Sequence, residues 1–285
     1  MKVIVTGAAG MLGRHVAAAY VDAGHDVLGL DVRDHPAAAW SHVITDICDL
    51  GNAVQLFDGA DAVAHCAGLP RPIGFSPSDV YKTNMASIYA TVEAARLCGV
   101  GLFLYASSIS VLGYPFAKRC PIPHYLPVDE DHPIAAQEIY GTTKWLGEEL
   151  IEATVRAGGF RAISLRMPWV QTCDSFARDV VPRRESADAA ADLWAYLDAR
   201  DAGQAFVKAL DWRKEQHLRC FLSAHDSYCE IPTQQIVQAA FGAKVSFKKD
   251  LTGHAALLDT SLAQQAFGFS PVHSWRDYGA ERGVK

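Results

Sequence analysis

Short apolar segments alternate with longer amphipathic segments along the first two-thirds of the chain. The apolar segments are rich in valine, leucine and isoleucine, which is typical of strands buried on both faces. They predict strands at Lys2–Thr6, Asp26–Leu30, His42–Thr45, Asp61–His65, Leu102–Ala106 and Phe160–Arg166. The segments between them predict helices at Gly13–Ala23, Leu50–Phe57, Ser78–Cys98 and Glu138–Arg156. This alternation indicates an α/β fold with a doubly wound parallel sheet of the Rossmann type.

The pattern becomes irregular beyond Met167. Short elements are predicted there at Leu193–Leu197, Asp201–Leu210, Arg219–Ser223, Pro232–Phe241 and Ser261–Phe267. We therefore expect a dinucleotide-binding domain over residues 1–166 and a smaller C-terminal substrate lobe over 167–285, packed on the first and with chain crossovers between them. The stretch Tyr114–Pro133 is rich in proline and histidine and is predicted to be a loop that forms one wall of the site.

Composition narrows the class of protein. The 285 residues carry a formal net charge of −6, which disfavours binding to nucleic acid or to an anionic membrane. The N-terminal strand is too short for a signal peptide, and no apolar run reaches the length of a membrane span. Seven cysteines, an odd number without a CxxC pair, predict reduced thiols in a cytoplasmic protein and no metal site.

A glycine-rich turn joins the first predicted strand to the first helix. It reads TGAAGMLG over residues 6–13 and contains Gly7, Gly10, Met11, Leu12 and Gly13. Glycines allow a tight turn and the close approach of a pyrophosphate, to which the helix N-terminus offers free N–H groups. Glycines also occur in ordinary turns, but the strand-turn-helix context favours a bound dinucleotide.

Two acidic positions are candidate contacts for the adenosine half of that dinucleotide. Asp31 ends the second strand, 18 residues after Gly13 (31 − 13), where a carboxylate accepts from the ribose hydroxyls and repels a 2′-phosphate. This favours NAD over NADP, although Arg33 could hold a phosphate and Asp31 could be a solvated turn residue. Asp46 and Ile47 could contact the adenine, or Asp46 could cap the next helix.

A tyrosine and a lysine share one face of the last long helix. Tyr140 and Lys144 are four residues apart, and a neighbouring ammonium favours the phenolate of a group whose pKa is ordinarily about 10. Ser107 and Ser108 follow the fifth strand, at the sheet edge where parallel sheets build their sites. A serine hydroxyl there could hydrogen-bond the substrate oxygen, or it could belong to an ordinary turn.

Taken together and in this order, these motifs resemble the extended short-chain dehydrogenase/reductases, the group of NAD-dependent epimerases and dehydratases. The resemblance rests on TGxxGxxG at 6–13, Asp31, the SSxxVxG-like string at 107–113 and YxxxK at 140–144. It continues through segments at 196–202, 258–271 and 274–277, and so covers nearly the whole chain.

The resemblance implies a role for each matching residue. Tyr140 would be the catalytic acid/base, Lys144 its partner and a cofactor contact, and Ser108 rather than Ser107 the catalytic serine. Three further segments would lie near the cofactor. They are the helical segment that contains Asn84, residues 65–68 with Ala67, and residues 167–170 with Pro168. His65 is expected to be structural.

The substrate is predicted from departures from the family pattern. Nucleotide-sugar epimerases of the group are usually longer and carry an asparagine where this chain has Pro168-Trp169, and an arginine near Leu193-Trp194. Only 22 residues, 171–192, separate Val170 from Leu193. The chain is more similar to uronate dehydrogenases. Candidate substrate contacts are Ser108, Trp169, Arg71, Arg183 and Arg184, although a surface ion pair is the favoured interpretation for any one of the arginines.

We therefore predict an NAD-dependent dehydrogenase that acts on a secondary hydroxyl of a sugar, sugar acid or compact polyol. An NAD-dependent nucleotide-sugar epimerase or dehydratase is the alternative. A non-catalytic dinucleotide sensor is disfavoured, because Ser108, Tyr140 and Lys144 are retained. The family often forms homodimers through two long helices, here Ser78–Cys98 and Glu138–Arg156.

Overall fold

A parallel sheet of seven strands forms the centre of the molecule. The computed structural model describes residues 1–117, 120–184, 187–214 and 216–281. Its strands are β1 (Lys2–Thr6), β2 (Asp26–Asp31), β3 (Ser41–Ile44), β4 (Ala62–His65), β5 (Leu102–Ser108), β6 (Tyr125–Leu126), β7 (Arg161–Met167), β8 (Trp169–Gln171), β9 (Tyr196–Asp198), β10 (His217–Phe221) and β11 (Ser246–Phe247). The structure does not describe residues 118–119 of the predicted loop, or residues 185–186, Glu215 and 282–285 of the predicted lobe.

Helices cover both faces of the sheet. The α-helices are α1 (Met11–Asp22), α2 (Leu50–Phe57), α3 (Pro77–Leu97), α4 (Ile139–Arg156), α5 (Cys173–Ser175), α6 (Ala199–Ala209), α7 (Thr233–Phe241), α8 (Ser261–Phe267) and α9 (Tyr278–Glu281). Short 3₁₀ segments occupy Ile109–Leu112, Ala187–Asp192, Gly242–Lys244 and Trp275–Asp277, and Phe176–Val180 forms a π turn. Among the described helices, none has both the length and the apolar character needed to cross a bilayer.

The strand order β10–β7–β5–β4–β1–β2–β3 reverses direction at β1. The chain starts there, winds outward through β2 and β3, then returns to β4 on the other side. This confirms the predicted doubly wound sheet. A crevice opens at such a reversal, outside the carboxyl ends of β1 and β4, and ligands of this fold class bind there.

The strands are as apolar as their position requires. Val3, Ile4 and Val5 of β1 are completely buried, since α1 and α6 cover one face and α2 and α3 the other. Strand β5 extends two residues beyond the predicted end, because its parallel register with β7 continues through Ser108 opposite Met167. That extension carries Ser108 to the carboxyl edge of the sheet.

The chain after residue 167 contributes to both predicted parts of the molecule. Strand β10 joins the central sheet beside β7, and α6 packs along α1. A Cβ at Gly203 of α6 would lie 2.8 Å from the carbonyl oxygen of His15, so the two helices approach closely. Two small parallel pairs, β8–β9 and β6–β11, lie outside the central sheet. The division at residue 167 stays a prediction.

A buried ion pair connects α4 to the sheet. Glu148 of α4 is completely buried and accepts two hydrogen bonds from Arg166 of β7, at 2.7 and 3.0 Å. The Ser107 hydroxyl of β5 donates to the same carboxylate at 2.6 Å. A buried charge is tolerated only when it is paired and hydrogen-bonded in this way. The carboxylate therefore holds α4 against two neighbouring strands.

We expect Glu148→Gln to lower the free energy of unfolding by about 3–5 kcal/mol, because it leaves the Arg166 guanidinium buried without its counter-charge. Urea denaturation at neutral pH would measure the loss. Glu93→Gln is the matched control, since Glu93 forms an i,i+3 pair with Arg96 on the surface of α3, and should leave the unfolding midpoint nearly unchanged. Equal effects of the two variants would contradict this role of Glu148.

Candidate active site

The glycine-rich turn is packed too tightly for larger residues. Gly7 has a φ of +70°, and a Cβ there would lie 2.8 Å from the backbone of Ala67. A Cβ at Gly13 would lie 2.0 Å from the carbonyl oxygen of Gly7. Gly10 precedes α1 without a side-chain cap, so the first N–H groups of α1 are left to a ligand or to solvent. Of the other two predicted contacts in the turn, Met11 is exposed and Leu12 half-buried.

Asp31 lies at the carboxyl end of β2, beside the same turn. Its carboxylate accepts from the backbone N–H groups of Ala9 and Arg33, both at 3.0 Å. The Arg33 side chain is largely exposed and only weakly paired with Asp31, with Nε and Oδ1 3.5 Å apart. The sequence left open that Asp31 is a solvated turn residue, but Asp31 is buried, and its two hydrogen bonds show that it fixes the turn.

The sequence offered two roles for Asp46, a contact with adenine or a cap of α2. Asp49, not Asp46, caps α2 by accepting from the N–H of Asn52, so the capping alternative for Asp46 is wrong. Asp46 is exposed and accepts from the N–H of Cys48 at 2.9 Å. Ile47 is buried in the apolar cluster under α2 and α3. A contact of either Asp46 or Ile47 with adenine stays a prediction.

The segment after β4 closes the other side of the crevice. The N–H of Ala67 donates to the Thr6 hydroxyl, which also hydrogen-bonds Nδ1 of His65. Burial lowers the pKa of His65 to about 3, with a smaller contribution from the charge of Lys144. The ring is therefore neutral and packs on Tyr105, as suits a structural role.

Asn84 of α3 connects this segment to α4. Its side-chain oxygen accepts from the N–H of Leu69 at 2.7 Å, and its amide donates to the Leu69 carbonyl and to the Thr143 hydroxyl. Thr143 is the residue before Lys144. Asn84 thus fixes the height of the lysine relative to the loop that follows β4.

The two serines at the end of β5 have different partners. Ser107 is occupied by its hydrogen bond to Glu148. The Ser108 hydroxyl donates to the Ser110 hydroxyl at 3.1 Å and lies near Tyr140, whose pKa it lowers. Of the two, Ser108 is the one that faces the phenol.

Tyr140 and Lys144 lie together on α4 and are both buried. Burial raises the pKa of Tyr140 to about 12, and the Ser108 hydroxyl offsets part of this rise. The sequence argument expected the ammonium to favour phenolate, but burial has the larger effect. Lys144 donates to the carbonyl of Ala106 at 2.7 Å, and its Nζ lies 5.7 Å from the centre of the Tyr140 ring. Burial lowers the pKa of Lys144 to about 8.

Two neighbours of Tyr140 were not singled out from the sequence. The ring of Phe116 meets the Tyr140 ring edge-on, with centroids 6.3 Å apart, and Phe116 has a positive φ of 61°. No sequence signal predicts this conformation in a phenylalanine. Glu138 caps α4 two residues before Tyr140, and its acidic character just ahead of a helix was the available signal.

Trp169 and Arg183 form the predicted substrate side of the crevice. Pro168, which is buried, and the half-buried Trp169 follow directly after β7. The Arg183 guanidinium lies over the Trp169 ring, 5.2 Å from its centre, and pairs with Asp192 at 3.1 Å. The Arg183 guanidinium is thus stacked on the Trp169 ring, while 35% of the side chain stays exposed to solvent.

The other two predicted arginines have different neighbours. Arg184 pairs with Glu230 and lies over the ring of Trp275. Arg71 is exposed on the loop after β4. The pKa of Asp179 is lowered chiefly by the hydrogen bonds of Arg178 and slightly by the charge of Arg71, so Arg71 lies near the π turn.

These features fit a dinucleotide. The tight turn leaves a cradle that any Cβ would fill, the first N–H groups of α1 are uncapped, and a buried carboxylate stands at the end of β2. Tyr140 and Lys144 lie in the first two turns of α4, where the Lys144 ammonium donates to the carbonyl of Ala106 of β5. Among the described residues, no group of three or more histidine, cysteine or acidic side chains could hold a metal ion.

Similar proteins include sugar dehydrogenases and epimerases. An L-arabinose 1-dehydrogenase (NAD(P)(+)) of Haloferax volcanii is 27% identical over 215 residues, which are 74% of this chain and 82% of the relative. A UDP-glucose 4-epimerase of Mus musculus is 26% identical over an alignment that covers 94% of this chain and 92% of the relative. Both classes of reaction that the sequence left open are therefore represented among its relatives.

A solved structure shares this fold, and well over half of the sequence matches a defined protein family. A short-chain dehydrogenase/reductase superfamily protein from Agrobacterium tumefaciens, crystallised with bound NAD, superposes with a TM-score of 0.76 at 24% identity, covering 99% of this chain and 95% of that one. Residues 3–183 match the NAD dependent epimerase/dehydratase family. That span contains the glycine turn, Asp31, Ser108, Tyr140 and Lys144, so the chain belongs to the NAD dependent epimerase/dehydratase family.

Proposed function

We propose that this protein is an NAD-dependent dehydrogenase that oxidises a secondary hydroxyl of a free sugar, a sugar acid or a similarly compact polyol. The observation that carries the proposal is the convergence of Ser108, Tyr140 and Lys144 at the carboxyl edge of the sheet, next to the dinucleotide crevice. Family membership supplies the NAD dependence.

The cofactor would be held by the turn at Gly7, Gly10 and Gly13, by Asp31 at the ribose, and by the segments at Ala67 and Pro168. Bound NAD supplies a hydride acceptor. Lys144, whose Nζ donates to the carbonyl of Ala106, would exchange that hydrogen bond for one to the nicotinamide ribose.

Tyr140 would take the proton of the substrate hydroxyl while the Ser108 hydroxyl hydrogen-bonds the same oxygen. Because its pKa is raised to about 12, Tyr140 is mostly protonated at neutral pH. The fraction in the base form grows with pH, so oxidation is expected to speed up as pH rises toward that value. In the reverse reaction the same phenol donates its proton to the carbonyl oxygen.

Two observations favour a compact substrate. Trp169 takes the place of the family's asparagine, and its indole fills the wall after β7 with Arg183 stacked on it. Arg183, one-third exposed, can turn toward a carboxylate, which guanidinium groups bind in a bidentate manner. A sugar acid would therefore meet Arg183, while Arg71 lies at the outer loop.

An NAD-dependent nucleotide-sugar epimerase is the second candidate. In its favour, a UDP-glucose 4-epimerase aligns with nearly the whole chain. An epimerase returns the hydride to the opposite face of the ketone and accumulates no NADH, which separates the two reactions experimentally. A dinucleotide sensor is disfavoured, because it would not need Tyr140 and Lys144 buried side by side.

A homodimer through α3 and α4 remains part of the proposal. The two helices pack against each other and expose Tyr81, Tyr89 and Trp145, apolar rings that a second copy could cover.

Tyr140→Phe should lower kcat by about 10²–10⁴-fold while NAD still binds, because only the proton-transfer group is removed. Lys144→Ala should weaken both turnover and NAD binding. Stopped-flow absorbance of NADH and calorimetric titration of NAD would measure the two effects separately. A Tyr140→Phe enzyme that kept most of its rate would show that another group is the acid/base.

Asp31→Asn should reduce the preference for NAD over NADP by about tenfold to a hundredfold, since it removes a charge that accepts from the ribose hydroxyls and repels a 2′-phosphate. Titration of both cofactors by calorimetry would show this. Arg33→Ala is the companion variant, and it should leave NAD binding unchanged. Tighter binding of NADP than of NAD by the unaltered protein would refute the assignment of Asp31.

A substrate panel should show NADH formation with free uronates or aldoses and none with UDP- or dTDP-linked sugars. Within the active class, Arg183→Gln should raise KM for a uronate far more than for the matching aldose. Arg178→Gln is the matched control, because Arg178 pairs with Asp179 on the surface. Activity confined to nucleotide-linked sugars would move the protein to the epimerase side.

A further inference from the structure

The N-terminus of α4 has an unusual cap. Glu138 accepts from the N–H of Tyr140 at 2.7 Å and from the N–H of Gly141 at 2.6 Å. Serine, threonine, aspartate and asparagine are the ordinary residues at this position. The longer carboxylate reaches both N–H groups at once, and one of them belongs to the reactive tyrosine itself.

The first turn of α4 is closely packed beside this carboxylate. A Cβ at Gly141 would lie 2.4 Å from the carbonyl oxygen of Ser110 and 2.9 Å from the Glu138 carboxylate. The turn is therefore pressed between the cap and the backbone that follows Ser108. In addition, the Gln137 side chain donates to the carbonyl of Gly113 at 3.1 Å. The spacing between Glu138 and Tyr140 is thereby fixed.

The Glu138 side chain is half-buried, and no counter-ion for it occurs among the described residues. Among the described ion pairs none includes Glu138, and its hydrogen-bond donors are backbone N–H groups. In the part of the chain that the structure describes, the titratable groups that face Tyr140 are Tyr105 from β5, Lys144 from α4 and Glu138 itself. Lys144 is the cation of this set. It follows Tyr140 by four residues on α4, whereas Glu138 precedes Tyr140 by two.

We propose that Glu138 is a positioning residue whose negative charge sets the pH range in which Tyr140 exchanges its proton, in opposition to Lys144. A carboxylate close to a phenol disfavours the phenolate and favours the protonated ring. In agreement, burial chiefly raises the pKa of Tyr140, and after the opposing effect of Ser108 the Glu138 carboxylate raises it further. The cap thus keeps Tyr140 a proton donor over a wider pH range. This inference rests on the proposed acid/base role of Tyr140.

The test compares Glu138→Gln, which keeps the length of the cap and removes its charge, with Glu138→Asp, which keeps the charge. Ultraviolet absorbance of tyrosinate is titrated in each protein and in its Tyr140→Phe counterpart, so that the difference isolates one phenol among ten tyrosines. Glu138→Gln should lower that midpoint by about 0.5–1 pH unit. The pH profile of kcat/KM should move down by the same amount, raising the rate of oxidation about three- to tenfold on its acid side.

The matched control is Asp49→Asn, which removes a capping carboxylate from α2, away from Tyr140, and should move neither midpoint. If Glu138→Gln lowers the helix content, Glu138→Ser provides a neutral cap that still accepts from the backbone. An unchanged or higher midpoint in a folded neutral variant would overturn the proposal. Retained turnover in Tyr140→Phe would instead refute the proposed function, while the absorbance titration would still decide the effect of Glu138.

Discussion

The buried pair of Glu148 and Arg166 is the interaction on which the arrangement of the site depends. Glu148 lies one turn of α4 beyond Lys144. Its carboxylate accepts from Arg166 and from the hydroxyl of Ser107, the residue next to Ser108. Removing a charge from such a pair costs several kcal/mol, so the helix has one stable height and rotation relative to β5 and β7. The three catalytic candidates come from two elements, and this pair makes them a single rigid group.

Burial then gives the two reactive side chains opposite tendencies. The same low-polarity surroundings raise the pKa of the Tyr140 phenol and lower that of the Lys144 ammonium, because each charged form loses its hydration. The two pKa values, about 12 for Tyr140 and about 8 for Lys144, reverse the usual order, in which lysine lies slightly above tyrosine. Local charges such as the Glu138 carboxylate therefore act on a pair that is already poised by desolvation.

The sequence was most informative where backbone geometry demands one residue type. The strand-glycine-helix context at 6–13 and the acid at Asp31 predicted the crevice, since only glycine fits at Gly7 and Gly13. Periodicity predicted the strands of the sheet but not that β10 joins it, because the sequence of a short apolar strand does not specify the strand with which it pairs. The cap at Asp49 instead of Asp46 and the ring of Phe116 on Tyr140 depend on local conformations that residue type alone does not specify.

The packing of α6 on α1 also bears on how the chain is made. Val16, Ala17 and Tyr20 of α1 are covered by a helix that begins at Ala199, and the Tyr20 hydroxyl donates to the carbonyl of Phe206. While the ribosome is still synthesising the middle of the protein, this apolar face of α1 has no cover. The packing around the nucleotide crevice is therefore completed late in translation. Until α6 emerges, the nascent chain exposes an apolar helix face that a chaperone could cover.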